Sequence, residues 1–289
     1  MGSACIITDS SAQFSFPGFP GNKCLQLLQH QFSLVNSANP HEPFPKSGEL
    51  PAYTSPSFSP KIVAPSTDDV FVQVSKSLPI YDDIFIILLS KEISPLYQEA
   101  EKITASLHGH ANLHLIDSQN TSLGLGLLVQ YAAELIVKEL PIEEIEKKLR
   151  LIIPHIYTLF CTPNLSYLHS AGVLDIGQAT VGEMMGLFSL FLMEEGKLNP
   201  LQKVKTQRSA IDFFIEFVDE FDALRHVAFI QPGMPGINES KFLHQHLDEV
   251  FPTTSYTEHP LNPFLSTLFG PRGFGMVVME DLEESSTDR

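Results

Sequence analysis

The chain has 289 residues, of which 43% are hydrophobic and 18% charged, with a formal net charge of −16. That balance supports a sizeable buried core and excludes an intrinsically disordered chain. It also argues against nucleic-acid binding, which needs a basic surface for phosphate contacts. The three cysteines, Cys5, Cys24 and Cys161, have neither zinc-site spacing nor a disulfide framework, which points to a reducing, cytoplasmic setting. No basic segment leads into an apolar signal run, and no window reaches the roughly 18 apolar residues of a membrane span. The sequence therefore predicts a soluble chain with no membrane insertion.

Residues 1–160 alternate short apolar runs with helical periodicity. Strands are expected at Cys5–Thr8, Asp83–Leu89 and Leu113–Asp117. Helices are expected at Lys23–Ser33 (Leu25, Leu28 and Phe32 on one face), Asp68–Ser77, Ser94–Leu107, Leu123–Glu139 and Pro141–Arg150. Ser66, Thr67 and Asp68 are cap candidates for the second of these. Between them, 36–65 is a loop rich in Pro, Ser and Gly, of a length that usually carries function or mobility. The alternation predicts βαβ units and a mostly parallel sheet with flanking helices.

The pattern changes near Ile156–Cys161. Strands at Leu187–Met193, Leu201–Lys205, His226–Ile230 and Gly275–Met279 are interleaved with helices at Gly177–Met185, Ser209–Phe221 and Glu239–Phe251. Glu194–Lys197 is a candidate hairpin turn. The fold class is thus α/β. An N-terminal α/β domain (1–160) is expected beside a C-terminal α+β domain (161–289) with a partly antiparallel sheet. The tail 280–289 reads as solvated.

The chemistry concentrates in turns that follow apolar strands. Ile6-Ile7 leads into Thr8-Asp9-Ser10-Ser11, and Ile87-Leu88-Leu89 leads into Ser90-Lys91-Glu92-Ile93-Ser94. Leu115-Ile116 leads into Asp117-Ser118-Gln119-Asn120-Thr121-Ser122, before Gly124 and Gly126. Each alone reads as turn formers and helix caps. Together they read as an anion cradle at the carboxyl ends of a parallel sheet, where open sheets bind ligands.

Other motifs are weaker. His108, His110 and His114 have no metal-site spacing and read as solvated histidines, so no metal is expected. There is no Gly-x-Ser-x-Gly elbow, and Thr121–Gly126 lacks both the dinucleotide fingerprint and the phosphate-loop lysine. No catalytic residue and no cofactor are assigned. The apolar stretch 179–192 includes Met184, Met185, Leu187 and Phe188. It reads as core, or as a pocket for a flexible chain, since methionine adapts its packing to what it touches.

Several of these segments, in this order, resemble the DegV family of fatty-acid-binding, EDD-type folds. They are Ile7–Ser11, Leu50-Pro-Ala-Tyr-Thr-Ser-Pro-Ser57, Ser90–Gln98, Ile116–Gly126, Leu165–Gly172 and Gly270–Gly275. The resemblance implies two domains holding one long-chain fatty acid between them, and a role in phospholipid metabolism. In some members the carboxylate is presented to a separate fatty acid kinase subunit. It implies carboxylate contacts at Ser94 and the Thr54 loop. Joined to the hydroxyl turns and the apolar stretch read above, the expected carboxylate site is Ser94, Thr54, Ser55, Ser10, Ser122, Gly124 and Lys205, with the tail among Met184, Met185, Leu187 and Phe188. Thr54 aligns with the family's loop threonine if one residue is deleted; gap-free alignment puts Tyr53 there. Two departures stand out. The family's arginine after the second-domain hairpin is Lys205, or is shifted to Arg208, and its histidine near the last motif is replaced by Leu268 and Phe269. The competing reading from the residues is an enzyme acting on a small phosphorylated or carboxylated metabolite, because hydroxyl turns suit phosphate equally well.

Overall fold

The computed structural model describes residues 3–34, 49–55, 58–107, 112–233 and 240–282. Residues 35–48, Ser57, His108, His110, Glu239 and the tail 283–289 lie outside them. In chain order the elements begin β1 (Ala4–Asp9), β2 (Leu25–Leu28), β3 (Gln31–Leu34), β4 (Pro60–Val63), α1 (Thr67–Ser77), β5 (Asp83–Leu88) and α2 (Leu96–Ser106). Next come β6 (Asn112–Asp117), α3 (Ser122–Val137), α4 (Ile142–Ile152), β7 (Ile156–Thr162), α5 (Leu165–Ser170), α6 (Ile176–Met184) and β8 (Phe188–Glu194). The remainder is β9 (Lys197–Val204), α7 (Gln207–Val218), β10 (Leu224–Gln231), α8 (Ser240–Val250), β11 (Ser255–Pro260), α9 (Pro263–Phe269) and β12 (Phe274–Glu280).

The chain folds into two compact units, and they are not contiguous halves. The first comprises Met1–Gln31, Val63–His155 and Glu195–Lys197; the second comprises Phe32–Ile62, Ile156–Glu194 and Leu198–Arg289. The expected cut at residue 160 thus falls close to the boundary at 155/156. It fails to capture that residues 32–62 leave the first half of the chain for the second unit. A loop without hydrophobic periodicity gives no signal of which core it will join.

In the first unit the strands run β2-β1-β5-β6, all parallel. β5 sits inside the sheet, and all six of its residues, Asp83-Ile-Phe-Ile-Ile-Leu88, are buried. That unbroken apolar run is the signature of a strand covered on both faces. α1 begins with a capping box: Ser66 Oγ accepts from Asp69 N, and the Asp69 carboxylate accepts from Ser66 N. α3 is apolar nearly all round and buried along most of its length, as a helix sunk in a core must be.

One expected helix is absent. Lys23–Ser33 forms a short 3-10 turn (Asn22–Cys24) followed by β2 and β3. The spacing of Leu25, Leu28 and Phe32 is compatible with a helix. However, β1 is paired to β5 on one side only, and its other edge takes Leu25–Leu28 as a ladder partner in the register Ile6↔Leu25 to Asp9↔Leu28. Satisfying that edge of backbone groups overrides the local preference.

The second unit carries a six-stranded mixed sheet, β11-β10-β12-β7-β8-β9, in which β10 and β11 are parallel while β10–β12, β12–β7 and β7–β8 are antiparallel. The expected turn between β8 and β9 is present. Glu195 (φ 51°) and Gly196 (φ 81°) both adopt left-handed conformations, the geometry of a two-residue hairpin that matches strand twist. Phe214, Phe229 and Phe274 meet at ring distances of 6.0–6.4 Å inside a cluster with Leu159, Ile211 and Met276. On another face Phe160 stacks on Phe269 at 4.3 Å. A small sheet of β3 and β4 completes the fold.

Burial of histidine in this second sheet has a stability consequence. His226 on β10 meets Thr257 Oγ1 at 2.9 Å. Burial pushes its pKa down to about 4, with His259 and Arg225 acting in the same direction. An unfolded histidine titrates near 6.5. Between those values the unfolded chain takes up a proton that the native chain refuses, so stability falls as pH drops from about 6.5 to about 4. The expected loss is of order 2–3 kcal/mol over the window. Urea unfolding midpoints of the wild type and of His226→Gln, taken across this range, check it; the variant should show a shallower decline.

Candidate functional site

In the first unit, the carboxyl ends of β1, β5 and β6 carry the hydroxyl turns, and a buried carboxylate ties the first two together. Asp9 Oδ1 accepts from Ser11 N at 2.9 Å and Oδ2 from Leu89 N at 2.8 Å. His30 Nδ1 lies 3.7 Å from Oδ1, and both side chains are fully buried. Burial holds His30 below the usual histidine range, against the opposing pull of Asp9. Asp9 is therefore a staple between strand ends. Ser10 continues the link: its N–H donates to Leu28 O at 2.8 Å, and its Oγ accepts from His30 N at 2.8 Å.

The turn after β5 is closed by Ser90. Its N–H donates to Asn120 O at 2.8 Å, its Oγ donates to Gly196 O at 2.7 Å, and its carbonyl accepts from Ser94 N at 3.2 Å. Ser94 follows, just ahead of α2, and is 8% exposed. Its Oγ accepts from Leu96 N at 3.3 Å, and its hydroxyl proton has no acceptor among the described residues. A buried O–H with a spare proton is set to donate to an acceptor from outside the chain.

After β6, Asp117 and Ser118 act as turn formers. Asp117 Oδ1 accepts from Gln119 N at 3.0 Å, while Ser118 Oγ accepts from Asn120 N and donates to Asn120 O, both at 3.1 Å. Gln119 (φ 52°) and Ser122 (φ 50°) are held in left-handed backbone conformations, a strain that concentrates in binding loops. Thr121 occupies the N-cap of α3 yet makes no side-chain cap bond. Its Oγ1 is buried with no partner among the described residues. Ser122 Oγ donates to Gln13 Oε1 at 3.3 Å, and Gly124 is buried in the first turn of α3. Gly126 lets this helix lie directly on the chain after β1: a Cβ there would stand 1.9 Å from Gln13 O.

The second unit holds the other predicted residues. Thr54 is pinned to α5: its N–H donates to Ser166 Oγ at 3.2 Å, its Oγ1 donates to Ser166 O at 3.0 Å, and Oγ1 accepts from Ser170 Oγ at 2.9 Å. The neighbouring chain is held the same way. Asn164 Nδ2 donates to Ala52 O at 2.7 Å and Tyr167 Oη to Pro51 O at 2.6 Å. Gly270, at φ 73°, passes so close to Asn164 and Tyr167 that a Cβ would lie under 3 Å from both. Thr54 thus spends its hydroxyl proton within the unit, whereas the sequence reading offered it to a carboxylate. Ser55 is exposed and pairs with Phe58 through a backbone bridge.

Lys205 is exposed after β9. Arg208, the alternative cation, lies in the first turn of α7 over the Phe242 ring at 3.7 Å and donates to Asp212 at 2.9 Å. Met184 and Met185 are 83% and 60% exposed, while Leu187 and Phe188 are half-buried. The two methionines are surface residues of their unit, not part of its core.

The first unit therefore assembles Ser10, Ser94, Ser122 and Gly124 around three adjacent strand ends. Sequence reasoning missed Thr121 as a spare donor and Asp9 as a staple. The clue to Asp9 is an acidic residue directly after an apolar strand, where a carboxylate can accept from neighbouring backbone N–H groups. No group of three metal ligands occurs among the described residues. His114 lies in β6, within the strand expected at Leu113–Asp117, and is half-buried rather than solvated. Its Nδ1 is 3.0 Å from Glu146 and its Nε2 3.2 Å from Asp83, and its ring stacks on Phe85 at 4.7 Å. No helix among the described residues is long and apolar enough to cross a membrane.

A parallel sheet with hydroxyl-lined strand ends, joined in one chain to a six-stranded mixed sheet, defines a two-unit α/β protein. The chain belongs to the DegV family: the family model, described as an uncharacterised protein of the DegV family, matches residues 59–281. A DegV domain-containing protein of Caldanaerobacter subterraneus is 30% identical over 150 residues, 52% of each chain. A fatty acid-binding protein of Thermotoga maritima is 26% identical over 234 residues, covering 76% of this chain and 78% of its own. Among solved structures, a fatty-acid-binding DegV family protein of Thermus thermophilus superposes with a TM-score of 0.81 at 18% identity, over 96% of this chain and all of its own. The Streptococcus pneumoniae Fatty Acid Kinase (Fak) B3 protein, loaded with linoleic acid, gives 0.76 at 19%, over 96% and 100%.

The close approach at Gly126 makes a measurable demand. Gly126→Ala should lose about 3 kcal/mol of unfolding free energy, because backbone rather than a flexible side chain blocks the new methyl. Gly18→Ala, where nothing lies within 4 Å, should stay within about 0.5 kcal/mol of wild type. Denaturant titration of both variants checks the pair.

Proposed function

We propose that this chain is a cytoplasmic binding protein for one long-chain fatty acid, whose carboxylate it presents to a separate fatty acid kinase subunit. The observation that carries the reading is the buried Ser94 hydroxyl, whose proton has no acceptor among the described residues. A carboxylate accepts hydrogen bonds without donating any, so it complements a donor left over in this way. Thr121 offers a second such hydroxyl at the start of α3, where the positive end of the helix dipole favours an anion. Ser10, Ser122 and Gly124 frame the same strand ends, and Thr54 enters as the anchor of its loop. Lys205 is the proposed cation.

The proposed tail contacts belong to the second unit: the exposed Met184 and Met185 with the half-buried Leu187 and Phe188. Unbranched thioether side chains adapt to a flexible acyl chain. Each CH₂ removed from water contributes about 0.8 kcal/mol, so a long tail has of order 10 kcal/mol available before ordering costs. The tail supplies affinity and the hydroxyls fix the head. Support for this class of ligand also comes from relatives described as fatty acid-binding proteins and from the structural neighbour carrying linoleic acid.

Organic extraction of the purified protein followed by mass spectrometry should recover about one acyl chain per chain. Ser94→Ala should weaken binding of added palmitate about tenfold, the contribution of one hydrogen bond to a charged group, with the fold intact by circular dichroism. Recovery of no acyl chain, together with no uptake of palmitate or oleate, would overturn the reading. Tight binding of a short phosphorylated metabolite under the same conditions would favour an enzyme instead.

A further inference from the structure

Cys5 and Cys24 lie at the amino end of the first unit's sheet, opposite the hydroxyl turns at the carboxyl ends of its strands. Ile6 on β1 pairs with Leu25 on β2. Cys5 is the residue before Ile6 on β1, and Cys24, the last residue of the 3-10 turn, is the residue before Leu25, so both adjoin the amino end of the ladder. Adjacent strands run about 4.8 Å apart. Disulfides span Cα separations of about 4.4–6.8 Å.

The surrounding side chains place Cys5 on the face covered by α1. Ser77, at the end of α1, acts on the Cys5 thiol, opposing the effect of burial, and its Oγ donates to Gln26 Oε1 at 2.9 Å. Gln26 pairs with Ile7, two residues beyond Cys5, so Gln26 and Cys5 lie on the same face of the sheet, and Cys24 closes the 3-10 turn that leads into β2. The two thiols lie within electrostatic reach of each other, and both lie within reach of Tyr81, which follows α1. Cys5 is fully buried and Cys24 half-buried. Burial holds the Cys5 thiol at about 12, so it is inert to an oxidant arriving from solvent. Cys24 is the sulfur that such an oxidant meets first.

We propose that Cys5 and Cys24 form a reversible intrachain disulfide when the protein meets a low-molecular-weight disulfide. In the first exchange the Cys24 thiolate attacks one sulfur of the oxidant. The oxidant's S–S bond breaks, one small thiol leaves with the proton that Cys24 has lost, and a mixed disulfide remains on Cys24. In the second, Cys5 loses its proton and attacks the Cys24 sulfur, expelling the other half of the oxidant as a second thiol. Both protein thiols are oxidised and one small disulfide is reduced to two thiols. The bridge staples the start of β1 to the start of β2. Cys161 takes no part: it lies on β7 in the second unit, fully buried, and burial raises its thiol strongly.

The test uses the full chain in native buffer with oxidised glutathione, followed by thiol alkylation and tryptic mass mapping. Cleavage after Lys23 and Lys46 separates Cys5, on peptide 1–23, from Cys24, on peptide 24–46. The expected product is those two peptides joined, lighter by two hydrogens than their sum, and released by a reducing agent. Cys161→Ser should give the same product in the same yield. Cys24→Ser should abolish it and leave Cys5 unmodified by glutathione. Alkylation of both cysteines after prolonged oxidation, glutathione persisting on Cys24 without the link, or a bridge between two chains would each overturn the proposal.

Discussion

The buried carboxylate of Asp9 organises the carboxyl ends of the strands in the first unit. Removing a carboxylate from water costs several kcal/mol unless donors replace its hydration. Here two backbone N–H groups, from Ser11 and Leu89, take that place. The two donors come from different strand ends, so satisfying the charge also sets the end of β1 beside the end of β5. Ser90 N and Ser118 N extend the same arrangement to β6 through Asn120 O and Leu88 O. Three turns are thus held in a row by groups that must be paired in any case. Removing the Asp9 carboxylate would leave two orphaned donors, and the alignment of the turns would lose its reason.

Once the row is built, an inventory of protons separates structural hydroxyls from available ones. Ser90 gives its proton to Gly196 O, Ser118 to Asn120 O and Ser122 to Gln13 Oε1. Thr54, in the other unit, gives its own to Ser166 O. Ser94 and Thr121 are different: both are buried, and neither donates to a group among the described residues. A chain leaves buried hydroxyl protons unmatched only at a cost of about 1–3 kcal/mol each. A ligand that accepts them recovers that cost on binding.

Much of this was legible in the sequence, for identifiable reasons. The strand β5 was visible as an unbroken apolar run, α1 through its Ser66 cap, and the β8–β9 turn through Glu-Gly between strands. The three hydroxyl turns, and Ser94 among them, were readable because each follows such a strand. β2 and β3 were not, since the spacing of Leu25, Leu28 and Phe32 satisfies a helix while the open edge of β1 demands a strand. β11 reads Ser-Tyr-Thr-Glu-His-Pro; its pairing to β10 compensates for a composition that lacks an apolar alternation. The engagement of Thr54 depends on Ser166 and Ser170, more than a hundred residues away, and no local pattern carries it. Membership of residues 32–62 in the second unit is hidden for the same reason.

The charge of the whole chain bears on why the buried part of the proposed head-group site is built from neutral donors. At −16 the long-range field repels an anion, but screening confines that repulsion to roughly 8 Å at physiological salt. Inside that distance local groups decide, and hydroxyls with a helix N-terminus attract a carboxylate without a buried cation that would need its own counterion when the site is empty. Such a site holds the head weakly. With of order 10 kcal/mol available from a long tail against about 1–3 kcal/mol per hydrogen bond to a charged group, that weakness costs little affinity. It leaves a carboxylate oriented by hydroxyls, with only the solvent-exposed Lys205 opposing its charge, which is a state in which a partner enzyme can act on its oxygen.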